Sequence, residues 1–232
     1  MSTYRRPPRV TLMVALTLLL GVFPLVSRAQ DLGQLSLDYM RSLEGTVSTT
    51  AQRLTVAGQL RGCTVEYRSI IVDQRYRRGG ISVVVGSITM LLIEGQGQAQ
   101  RQIGIGLKVV VKDATVRRGD PNPQFVDSRP HFAYLETPSG HNNASSSVGS
   151  GDTDPPGGIY MMFPLDESFA EVYRAMLQGT IIVAFNRTKG GVDLKVPIDL
   201  RVVDLSETGQ RVRSQQTIEK FAECSKALID RI

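Results

Sequence analysis

Few residues in this 232-residue chain have the types and spacing that catalysis needs. It contains two histidines, His131 in an apolar run and His141 in a Gly/Ser-rich stretch, without the i, i+4 spacing of a helical ligand pair. Asp152 and Asp154 form an Asp-x-Asp, but the further oxygens and the distal Glu of a calcium loop are missing. Gly149-Ser150-Gly151 falls short of the G-x-S-x-G nucleophile elbow. Gly104-Ile105-Gly106 lacks the third glycine of a dinucleotide loop and stands inside a strand-like run, where glycine permits close strand packing. No metal and no organic cofactor is therefore expected. Glu136, Asp166 and Glu171 are scattered carboxylates of the kind from which an all-β hydrolase assembles a site, and they carry the enzymatic alternative. The expected class is non-enzymatic.

Two further groups have chemistry of other kinds. Arg75-Tyr76-Arg77-Arg78 places an aromatic ring among cations, a surface fit for an anionic glycan or headgroup, or simply a solvated basic turn. Cys63 and Cys224 are the chain's two cysteines. An even count in an exported protein favours a disulfide over two thiols.

Export is read from residues 1–29. Arg5, Arg6 and Arg9 form a basic region, Val10 to Val26 an apolar run broken by Gly21 and Pro24, and Ser27-Arg28-Ala29 a cleavage site. This is the pattern of a secretory signal, with cleavage expected after Ala29 and no membrane span left afterwards. The whole chain carries 27 Lys+Arg against 22 Asp+Glu, a formal charge of +5. Residues 1–29 hold four Arg and no acid, so the mature chain has 23 against 22, or +1. A near-neutral domain lacks the basic footprint of a nucleic-acid binder. The expected setting is the periplasm or the exterior.

The elements that must position these groups follow from periodicity. From residue 30 to 61 apolar residues recur at helical steps, with a break near 45–50 weakening the pattern, and a helical segment is expected. Residues 62–232 read as a single β-rich domain. Its strands are 64–73, 81–93 (one bent strand or two, since Gly86 sits in the middle), 102–116 and 131–136. Ser168 and Glu171 have capping-box spacing for a helix ended by Gly179, with Asp166 the other candidate cap. A hairpin then runs from Thr180 to Asn186 and back from Val192 to Val203, where apolar residues alternate with Asp193, Lys195, Pro197, Asp199 and Arg201. Pro197 cannot donate to a ladder and marks an edge strand or a bulge. Residues 138–158, rich in Gly, Pro and Ser, read as a flexible loop. A C-terminal helix spans 215–231. The fold expected is mainly β: an antiparallel β-sandwich-like core, flanking N- and C-terminal helices and one inserted helix.

The stretch from Tyr160 to Leu200 resembles the invasion-associated locus B family of exported Gram-negative proteins. The features shared are the aromatic-led strand Tyr160–Pro164, Phe169-Ala170-Glu171, the Leu177-Gln178-Gly179 helix end, the apolar strand Ile181–Phe185 and the return strand with its mid-strand proline. Ile103 to Val111 is similar to that family's earlier strand, and together these cover about half of the mature chain. The family's cysteines near the strand-to-helix junction have no counterpart in Met161–Phe169. The resemblance implies a β-sandwich-like periplasmic or envelope-associated protein with no established enzymatic activity, linked in some members to host-cell entry. The leading expectation from the signal, the period-2 strands and the missing catalytic set is a protein that binds an envelope or host protein through its β surface or the 138–158 loop. A structural subunit docking by its N-terminal helix is the other non-enzymatic expectation.

Overall fold

The computed structural model describes residues 25–93, 102–117, 120, 122–154 and 156–231, with side chains from Leu32 onward. The signal expected at 1–29 therefore lies largely outside the described residues. Helix α1 (Leu25–Ser42) opens the described chain, but the helical expectation for 30–61 holds only that far. Gly45 at φ +112° turns the backbone into strand β1 (Gly45–Val56). Thr46, Val47, Thr49, Thr50, Thr55 and Val56 are β-branched, and that preference for a pleated surface outweighs the leucine spacing. Ala57 and Gly58, at φ +48° and +75°, make the two-residue turn that matches strand twist. Strand β2 (Gln59–Asp73) returns beside β1, so residues 45–61 belong to the β domain rather than to a helical segment.

Strands β3 (Gly80–Ile93), β4 (Gln102–Thr115), β5 (Gln124–Asp127), β6 (Phe132–Glu136), β7 (Gly149–Asp152) and β8 (Gly158–Pro164) follow. Helix α2 (Glu167–Leu177), strands β9 (Thr180–Asn186), β10 (Leu194–Asp199), β11 (Val202–Leu205) and β12 (Arg211–Arg213), and helix α3 (Gln216–Ile229) complete the chain. One antiparallel sheet has the order β1-β2-β3-β4-β8-β7, with β5 also on β4. A second has the order β10-β9-β6, and β11-β12 is a separate hairpin. The sandwich-like architecture with helices at both ends matches the expectation. Its core is the inward phase of both sheets, with Val65, Leu107, Met161, Val183, Phe185 and Ile198 all within 1 % of complete burial. A second, smaller cluster lies outside the large sheet, where Leu37, Met40 and Leu43 cover Ile70, Ile81 and Ala114.

Local sterics and strand pairing decide four further points. β3 runs unbroken through Gly86, because a Cβ there would collide with the Lys108 carbonyl and with the Tyr67 hydroxyl. Tyr67 is buried, which pushes its hydroxyl up, and it donates to that same carbonyl. The return strand expected over 192–203 is two strands, with Leu200 and Arg201 forming the corner between β10 and β11. Pro197 sits on β10, an edge strand as expected. The segment 138–158 is tied down rather than free. Asn143 is 1 % exposed, its side-chain oxygen accepts from the Leu135 N–H, and β7 pairs with β8. Its composition leaves little to bury, but backbone ladders need no side chains.

Asp199 holds the β10–β11 corner. Its carboxylate accepts from the Arg201 N–H at 3.1 Å and Nε at 2.8 Å, and from Arg213 Nη1 at 2.7 Å. Burial alone pushes this carboxyl up, but the hydrogen bonds from Arg201 and the charges of Arg201 and Arg213 outweigh it and hold it below the ordinary value. A depressed folded-state carboxyl contributes stability above its unfolded pKa, near 4, and loses it as pH falls through the folded value. The urea midpoint of the native protein is therefore expected to drop between about pH 5 and pH 3. Asp199→Asn is expected to start lower at neutral pH and to drop less over that interval.

Candidate functional site

The polar groups gather at one end of the sandwich, where the β2–β3 turn, the end of β4 and the β9–β10 connection meet. Asp73, the last residue of β2, is fully buried. Its Oδ1 accepts from the N–H groups of Arg75 at 2.9 Å and Tyr76 at 2.8 Å, which bends the chain into the turn. Arg187 enters from the end of β9 with 8 % of its side chain exposed. Its Nη1 donates to Asp113 Oδ2 at 3.0 Å and to Ser128 Oγ at 2.5 Å. Its Nη2 donates to Asp113 Oδ1 at 3.0 Å and to Ser82 Oγ at 2.9 Å. This is the planar fork on a carboxylate that only arginine provides. Asp73 Oδ2 stands 2.9 Å from Nη2 as an ion pair, although not aligned as a hydrogen bond. Arg77 Nε adds a second cation 3.5 Å from Asp113. Two cations face two carboxylates, so the charges balance within the fold.

That cluster absorbs half of the expected basic surface. Tyr76 turns inward, its hydroxyl donating to the Val192 carbonyl at 2.5 Å and its ring centre 6.0 Å from the Arg187 guanidinium. Arg77 donates to the carbonyls of Ile81 at 2.5 Å and Ala114 at 3.1 Å. Arg75 and Arg78 alone of the four are exposed to solvent.

The carboxylates named for a hydrolase are engaged separately. Glu136 is 7 % exposed and accepts from Lys195 Nζ at 2.7 Å. Beside it the Tyr134 hydroxyl donates to Asp193 at 2.9 Å, and burial together with that carboxylate pushes its ionisation up. Asp166, rather than Ser168, caps α2 by accepting from the Phe169 N–H. Glu171 pairs with Arg174 at 2.6 Å. Each of the three acids thus has its own partners. Asp152 of the Asp-x-Asp is bound by Arg129 Nε at 2.7 Å, and His141 Nδ1 lies 3.1 Å from Ser139 Oγ. Among the described residues no three His, Cys, Asp or Glu side chains cluster as a metal site.

One open surface is mainly apolar. A crevice of about 520 Å³ runs along α1, lined by Leu32, Leu35, Tyr39, Met40, Asn122 and Pro123. Leu32, Leu35 and Tyr39 are 54 %, 61 % and 54 % exposed. Helix α1 thus has two apolar faces: Leu37 and Met40 turn to the sheet, and Leu32, Leu35 and Tyr39 turn away from it. A single helical stripe over 30–61 merges both faces and passes over Tyr39, although the i, i+3, i+7 spacing of the outer face is legible in the sequence. Among the described residues no helix is long and apolar enough to cross a membrane.

The disulfide expected between Cys63 and Cys224 is formed, joining β2 to α3. It points to an oxidising setting outside the cytoplasm. Comparison of the chain with protein-family models, with curated proteins and with solved structures finds no match.

Proposed function

We propose that this is an exported, non-enzymatic envelope protein whose work is binding. The observation that carries the reading is the contrast between its two kinds of surface. Its buried ions are committed to one another, whereas the crevice along α1 is open, apolar and placed on a helix with a second face to cover. A disulfide suits export, and the signal-like residues 1–29 and the resemblance to invasion-associated locus B proteins both favour a Gram-negative envelope. Of the non-enzymatic readings, docking through the N-terminal helix gains the most support, because the 138–158 segment is pinned to β6 and β8 and less available to partners.

The test is retention. After export in a Gram-negative host the chain is expected to sediment with washed envelopes. Complete release into the soluble periplasmic fraction contradicts the proposal.

A further inference from the structure

Resting on that reading, we infer that the outer face of α1 is a docking surface for a lipid bilayer. A helix buries one stripe in its own domain, and a second exposed stripe of large apolar side chains marks a surface that meets another apolar phase. On α1 this stripe is Leu32, Leu35 and Tyr39. The patch continues past the helix. Pro123 lines the same crevice, and Phe125 follows on β5 with 49 % exposure. Phe125 pairs with Ala114, so its side chain stands on the outer sheet face that α1 covers. Tyr39 and Phe125 give the patch the aromatic residues that favour a membrane–water boundary.

The position of the patch along the chain selects the bilayer as its occupant. The apolar run from Val10 to Val26 leads straight into α1, which begins at Leu25. Along a helix, Leu32 lies about 9 Å beyond Val26. That is close to the depth of a headgroup layer, about 5–8 Å on each side of the hydrocarbon. Export thus delivers the stripe to the membrane surface. Because Leu32 lies beyond Ala29, cleavage there leaves the stripe on the mature chain. Three half-exposed side chains and one neighbouring ring make a peripheral, reversible contact.

The sequence contains no Trp, so one introduced residue is a clean reporter. The exported protein carrying Leu35→Trp is mixed with vesicles of phosphatidylethanolamine and phosphatidylglycerol, with and without brominated acyl chains. Its emission is expected to shift to the blue and to be quenched by the bromines. Val148→Trp, at a site 68 % exposed beside β7, is expected to do neither. In flotation, Leu35→Glu is expected to lower the vesicle-bound fraction by about tenfold or more. Equal responses at both positions, or none at position 35, overturn the inference. So does a blue shift that appears without vesicles and grows with protein concentration, which identifies a second copy as the occupant. Envelope retention without vesicle binding leaves the proposed function standing and removes the lipid, whereas a chain wholly free in the soluble fraction removes both.

Discussion

Replacing Cys63 and Cys224 together with alanine is expected to lower the unfolding free energy by about 5 kcal/mol. The bridge closes a separation of 161 residues, which nearly spans the described fold. In the chain-entropy account a loop of that length removes more freedom from the unfolded chain than a short one does. Against a total of about 5–15 kcal/mol for a domain, the loss leaves the protein marginal at 37 °C. Position as well as length makes the bridge matter. Cys63 lies on the core phase of β2 with no exposed surface, and Cys224 on the buried face of α3 has 1 %. Without the link α3 is held by Phe221, Leu228 and the Tyr173–Ser225 hydroxyl contact at 2.8 Å. Urea melts of the oxidised, reduced and doubly substituted proteins measure the effect. Equal midpoints for all three would show that packing alone fixes the helix.

Arg187→Ala is expected to cost about 3–5 kcal/mol, because it leaves Asp73 buried without its cation and Asp113 with only Arg77, 3.5 Å away. Asp73 is fully buried and is not rescued by water once the guanidinium is gone, whereas Asp113 has 17 % of its side chain exposed and keeps Arg77. Ser82 and Ser128 lose their donor as well. Arg187→Lys keeps the charge but not the fork, and is expected to recover only part of the loss. Asp113→Asn in the Arg187→Ala background is expected to destabilise less than Asp113→Asn alone, because one unpaired charge has already been created. A double-mutant cycle on urea midpoints reads this coupling. Strict additivity would contradict the network.

How much of the fold and the polar cluster is legible in the sequence depends on how local each cause is. The period-2 alternation of β10 and the capping of α2 rest on neighbours in sequence, and both elements stand within a few residues of where the pattern puts them. The corner at Leu200 and Arg201 is not legible, because Leu200 and Val202 keep the alternation while the chain changes sheets. Residues 45–61 mislead for a different reason. Leu54 and Leu60 fall at helical steps from Val47 by coincidence, and Leu54 is exposed on an outer strand. The cysteine pair can be anticipated from count and compartment. The Arg187 cluster cannot, because Asp73, Ser82, Asp113, Ser128 and Arg187 are separated by up to 114 positions and carry no shared motif. Their meeting is a product of strand register, which pairs Ser82 with Asp113 across β3 and β4. The basic turn is half legible for a related reason: contacts with distant residues, Val192 and Arg187 for Tyr76 and Ala114 and Asp113 for Arg77, hold both side chains inward.

The proposed role is that of a disulfide-stapled binding protein working outside the cytoplasm. The intact mass of the protein recovered from the envelope fraction, after alkylation without reductant, tests it most directly. The expected species is residues 30–232 with two hydrogens lost and no alkyl group added. A full-length chain carrying two alkylated thiols would contradict it.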